Sequence, residues 1–89
     1  MDSKQSVNND RRGGIRHPAN GQVWLWTNGQ QVEGRLLDRS ESGFRVAYAS
    51  GELETGQDVQ FAIGHSQGRA RVVWNRFTRQ QWESGLMIL

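Results

Sequence analysis

At 89 residues with a formal net charge of +2, the chain has room for one compact domain with one small core and no second. It contains no cysteine, which removes disulfides, thiolate metal sites and cysteine nucleophiles together and fits a reducing cytoplasm. No stretch approaches the roughly 18 apolar residues of a membrane span, and the opening MDSKQSVNND is polar throughout, so the sequence predicts neither a membrane span nor a signal peptide.

Lys4 is the single lysine; the rest of the positive charge is arginine. The planar guanidinium fork pairs with phosphate or a guanine edge through two hydrogen bonds, which an ammonium cannot do. This composition favours a phosphate or nucleotide ligand over a generally basic surface, although solvated surface charge is the plainer account of the same residues.

In chain order, residues 1–21 lack apolar periodicity, are rich in Asn, Asp, Gly and Arg, and contain Gly13-Gly14. They are predicted to form a flexible arm, with the folded barrel occupying residues 22–89. Val23 and Leu25 alternate with Trp24 and Trp26, Asn28-Gly29 interrupts, and Val32, Gly34 and Leu36 resume a period of two. Asn-Gly between alternating runs is the strongest short hairpin signal, because a type I′ turn needs positive φ at both central residues. Pairing across it sets Leu25 opposite Val32 and Trp24 opposite Glu33, which sends Val23 and Leu25 inward and both tryptophans outward. Outward Trp24 and Trp26 call for cover by the arm, by a partner, or by a shifted register.

Phe44, Val46 and Tyr48 mark a third strand, Val59, Phe61 and Ile63 a fourth, and Ala70, Val72 and Trp74 a fifth, with Gly64 to Gly68 as the turn before it. Trp82, Ser84, Leu86 and Ile88 mark the last. Six short strands with Gly-bearing turns and no helical periodicity predict an all-β, six-stranded antiparallel barrel.

Two groups of residues carry candidate chemistry: Arg11, Arg12 and Arg16 in RRGGIR, and Asp38, Ser40 and Gly43 in DRSESG. Arg-x-x-x-Arg recurs at Arg35 and Arg39, so that spacing alone decides nothing. Asp-x-Ser-x-x-Gly is rarer, and its plain structural account is a turn whose Asp38 or Ser40 caps backbone amides.

The order of these features, a double-arginine motif in an arm, one hairpin, then the Asp-Ser-Gly turn before a third strand, resembles the bacterial PilZ family. The segments Val72-Val73-Trp74 and Gly85 to Leu89 also look like that family's closing strands. The resemblance implies a PilZ-type barrel that binds cyclic di-GMP through Arg11, Arg12, Arg16, Asp38, Ser40 and Gly43. It further implies that the arm orders over the ligand and that a downstream protein receives the signal. Many family members continue into a C-terminal helix, whereas this sequence ends on its last strand pattern.

The residues suit such a ligand. Arg12 and Arg16 supply forks, Arg11 a cation to stack on a guanine face, and Asp38 an acceptor for a guanine edge or a holder for an arginine. Ser40 donates to phosphate or bonds a base edge, and Gly43 permits close backbone approach. His17 and His65 are far apart in sequence with no ligand-spaced carboxylates, so no metal site, no cofactor and no catalytic base is expected, and the chain does not read as an enzyme. The alternative class is a small nucleic-acid-binding barrel with stacking tryptophans; the weak net charge argues against a nucleic-acid partner.

Overall fold

A computed structural model describes residues 17–89. Seven strands lie among the described residues: β1 His17–Pro18, β2 Gln22–Thr27, β3 Gln30–Arg39, β4 Gly43–Tyr48, β5 Asp58–Ile63, β6 Ser66–Thr78 and β7 Gln81–Ile88. All neighbours pair antiparallel in the order β1-β3-β2-β5-β6-β7-β4, and β4 returns to pair with β3. The result is a closed six-stranded antiparallel barrel, with β1 as an additional short strand beside the end of β3. Among the described residues no helix is long and apolar enough to cross a membrane.

The first hairpin forms as its sequence predicts. Asn28 and Gly29 have φ of 47° and 77°, Leu25 pairs with Val32 and Trp24 with Glu33, and Val23, Leu25 and Val32 are buried while Trp26 stays 38% exposed. Alternation then fills the barrel with Leu36, Phe44, Val46, Tyr48, Val59, Phe61, Ala70, Val72 and Leu86, all buried. Phe44 and Phe61 meet at its centre with ring centroids 5.1 Å apart and planes tilted by 55°, and burying a side chain of that size is worth roughly 1.5–3 kcal/mol.

Four features depart from the sequence reading. His17 and Pro18, predicted to lie in the arm, pair with Arg39 and Asp38. The turn between β5 and β6 is only Gly64-His65, with Gly64 at φ 58°, so Ser66, Gln67 and Gly68 already pair with Ile63, Ala62 and Phe61. In β6 a bulge at Val73 moves the register between Val72 and Trp74, which rotates Trp74 onto the outer face over Gly85 instead of continuing the inward row of Ala70 and Val72. The β6–β7 turn is Arg79-Gln80, both non-glycine residues at positive φ (55° and 67°), a left-handed conformation L side chains adopt at a cost. The edge-to-face contact of Phe77 with Trp82, centroids 5.2 Å apart, sits just before it and holds the hairpin together.

Beneath that hairpin runs a buried polar chain. Asn75 Nδ2 donates to the Leu53 carbonyl at 2.8 Å, and the Ser84 hydroxyl donates to Asn75 Oδ1 at 2.6 Å. Since the Ser84 hydrogen is thus committed, the Tyr48 hydroxyl is the donor in its 2.7 Å bond to Ser84 Oγ. Burial raises the Tyr48 pKa above its ordinary value of 10.0. A folded-state value above the unfolded one means that stability is intact below pH 10.0 and is lost as pH rises through the folded value. Tyr48 is the only tyrosine, so an alkaline titration followed by ultraviolet absorbance reads this group alone. Tyrosinate is expected only above the pH at which a free tyrosine ionises, together with loss of the barrel's circular dichroism. Ionisation at the ordinary pH in an intact barrel would show that the chain of bonds is not closed.

Candidate functional site

The Asp38–Gly43 segment forms the β3–β4 turn at one end of the barrel. Ser40 N donates to the Gly43 carbonyl at 2.8 Å, and Ser40 Oγ accepts from Ser42 N at 3.3 Å. Ser40 therefore caps its own turn, and its hydroxyl hydrogen remains available to a ligand oxygen. β1 lies against the same strand end, with His17 opposite Arg39. An open depression of about 500 Å³ lies here, lined among the described residues by His17, Arg39, Ser40 and Glu41.

Asp38 reaches its place through a second bulge, at Leu37, where the β3–β4 register shifts between Leu36 and Asp38. Without it Asp38 would follow Leu36 to the inner face; with it Asp38 lies on the outer face beside Arg45, its partner on β4. Arg45 Nε donates to Asp38 Oδ2 at 2.8 Å, with the two side chains 33% and 13% exposed. Asp38 thus holds an arginine, Arg45, which is one of the two roles open to it in the sequence. A pair this accessible on one side contributes on the order of 0.5–1 kcal/mol.

Gly43 has a reason within the barrel itself, beside the ligand approach that the sequence suggests. A Cβ there would fall on the Leu86 carbonyl of β7, inside the 3.0 Å that real Cβ atoms keep. Gly43 thus lets β4 approach β7, whose Met87 is its partner, and its demand is met within the barrel wall.

Arg11, Arg12 and Arg16 lie outside the described residues. Of the remaining predicted site residues, the structure places Ser40 at the depression, Asp38 on the outer face with Arg45, and Gly43 against β7. His17, Arg39 and Arg45 were missed in the sequence. Arg39 belongs to a spacing that decides nothing by itself, His17 falls within the predicted arm, and Arg45 gives no signal because its meeting with Asp38 depends on the bulge. Arg39 has no ion-pair partner among the described residues, whereas Arg69 and Arg71 both pair with Asp58 and Arg76 with Glu83. The Arg71 guanidinium, hydrogen-bonded to the Asp58 carboxylate, holds the Asp58 pKa below its ordinary value.

Among the described residues no group of three His, Cys, Asp or Glu side chains is arranged to hold a metal ion. No protein-family model matches the chain, and no curated protein matches it.

Proposed function

We propose that this chain is a cyclic di-GMP receptor of PilZ type, a binding domain rather than an enzyme, acting in the bacterial cytoplasm through Arg11, Arg12, Arg16, Asp38, Ser40 and Gly43. In this reading the N-terminal arm orders over the ligand and its new conformation is passed to a downstream protein. One observation supports it most. The first described strand pairs His17 with Arg39, beside the Asp38–Gly43 turn, and Arg16 is one peptide bond from His17. The last residue of the first motif is thereby bonded covalently to the barrel end that carries the second, next to an open depression lined by Arg39, which has no ion pair among the described residues. A dianionic dinucleotide needs such converging forks.

The nucleic-acid reading draws on Trp26, which is 38% exposed and aligned across three strands with Gln60 and Arg69. Arg69 and its neighbour Arg71 are both engaged by Asp58, so that aromatic face carries no field of free cations for a polyanion.

Calorimetric titration with cyclic di-GMP, then with single-stranded DNA and RNA, tests the choice. Saturable binding at about micromolar dissociation constant or tighter is expected for the dinucleotide alone. Arg12→Ala and Arg16→Ala should abolish most of it, while Arg35→Ala, which alters an exposed outer-face residue, should leave it intact. Heat from oligonucleotides and none from the dinucleotide would replace the reading with its rival.

A further inference from the structure

The opposite end of the barrel carries a second feature. Residues 82, 84 and 86 of β7 share one face by the period-two rule, and Ser84 and Leu86 are buried on it. Trp82 therefore belongs to the inward row, as do its partners Phe77 on β6 and Tyr48 on β4. The pairing of β6 with β5 ends at Arg71 and that of β7 with β4 at Trp82, so the hairpin extends beyond its flanking strands. Phe77 is 59% exposed and Trp82 37%. This is a piece of core-facing surface without the other half of a core.

Next to it lies a depression of about 410 Å³ lined by Tyr48, Gly51, Glu52, Leu53, Glu54 and Trp82. Its rim is fixed in place. Gln30 Oε1 accepts from Glu52 N at 3.1 Å, Gln57 Oε1 accepts from Glu54 N at 3.0 Å, and the Leu53 carbonyl is held by Asn75. With the backbone between the glutamates bonded on both sides, their carboxylates are presented from a rigid loop above an aromatic wall.

Those carboxylates also differ from the acidic residues on the strands. The strand carboxylates are engaged: Asp38 by Arg45, Asp58 by Arg69 and Arg71, Glu83 by Arg76, and Glu33 by the Gln22 amide. Glu52 and Glu54 have no cation among the described residues. Arg79, at the tip of the neighbouring hairpin, pairs with neither. Arg76 is turned to the other face, bonded to Glu83 and lying 5.3 Å from the centre of the Trp74 ring.

We propose that this end of the barrel is a docking site for a polypeptide segment of a partner protein that presents an arginine or lysine beside an apolar side chain. The cation meets Glu52 and Glu54 and lies against the Trp82 ring, where an aromatic face adds to the carboxylate attraction. The apolar neighbour covers Phe77, which is 59% exposed. Charge complementarity selects this occupant: an acidic segment meets the two carboxylates of Glu52 and Glu54, and a nucleic-acid strand adds phosphates to them. The site lies at the far end of β3 and β4 from the Asp38–Gly43 turn, so it does not rest on the cyclic di-GMP reading, and failure of either leaves the other standing.

The test is a nitrogen–proton correlation titration of the full chain with two blocked peptides, acetyl-Gly-Leu-Arg-Leu-Gly-amide and the same sequence with Glu in place of Arg. Saturable shifts are expected at the Trp82 indole N–H and the amides of residues 51–54, with the arginine peptide bound at least about fivefold more tightly. E52Q/E54Q should reduce it to the level of the glutamate peptide. Both residues are exposed and have no ion pair among the described residues, so the double variant should melt like the parent, which checks that it is folded. Equal affinity for the two peptides, no effect of E52Q/E54Q, or shifts centred on Trp26 would each overturn the proposal. Concentration-dependent shifts at Trp82 without any peptide would do the same, since they would place a second copy of the chain on this surface.

Discussion

Replacing Gly43 by alanine is expected to lower the free energy of unfolding by about 1–3 kcal/mol, the range for forcing a methyl group into a filled interior. The added Cβ meets a backbone carbonyl, that of Leu86, and not the yielding end of a long side chain. Relief therefore requires β4 and β7 to separate, along a pairing that runs from Gly43 with Met87 to Tyr48 with Trp82 and helps to close the barrel. For a domain of this size each kcal/mol lowers the melting temperature by roughly 4–8 °C, so thermal and urea unfolding of Gly43→Ala would show the loss directly. The same substitution separates two accounts of a residue that the motif alone assigns to the ligand. If Gly43 were glycine only so that a ligand can approach, Gly43→Ala would unfold at the parent's urea midpoint and lose binding. Gly43 is not at positive φ, so the unfolded chain's greater freedom with glycine slightly offsets the clash and does not cause it.

What was legible in the sequence was what depends on local chemistry. Asn28-Gly29 fixes a type I′ hairpin, the hairpin fixes the register of β2 on β3, and the register decides that Val23 and Leu25 enter the core while Trp26 does not. Each step is short-range, so alternation in a single sequence sufficed. The bulges at Leu37 and Val73 were not legible, because an extra residue in one strand is defined only against its partner. Their effects are large: one turns Asp38 out to Arg45, the other turns Trp74 out over Gly85. The Arg79-Gln80 turn was hidden for another reason. Neither residue favours positive φ, and the hairpin is held by the Phe77–Trp82 contact across it, a tertiary effect overriding turn chemistry. The candidate site divided along the same line. Ser40 capping its own turn is local and was foreseen as the plain structural account of the motif, whereas the presence of His17 and Arg39 at one depression follows from β1 lying beside β3, a pairing between segments about twenty residues apart.

The largest effect expected of the proposed site is on ligand choice. Cyclic di-GMP should bind at least tenfold, and on the order of a hundredfold, more tightly than cyclic di-AMP, although both carry two phosphates on the same ring. An arginine fork satisfied by guanine O6 and N7 meets an amino group in place of O6 on adenine, donor against donor. Adenine also lacks the N1 and N2 hydrogens that a carboxylate at the site accepts. Each lost bidentate contact costs about 1–3 kcal/mol, and about 1.4 kcal/mol is a factor of ten, so a single reader on each base is enough. Arg12 and Arg16 are assigned the forks. Asp38, already bonded to Arg45, either accepts from the base directly or orients the Arg45 guanidinium toward it, and Arg45→Ala separates the two: selectivity that survives this change belongs to Asp38 itself. Competition between the two dinucleotides at fixed salt, repeated at higher salt, measures the difference. Added salt weakens both ligands through their shared phosphates and leaves their ratio nearly constant if bases are read. Near-equal affinities, or a ratio that collapses as salt rises, would show that the arginines hold phosphate alone and that no residue at this end of the barrel reads guanine.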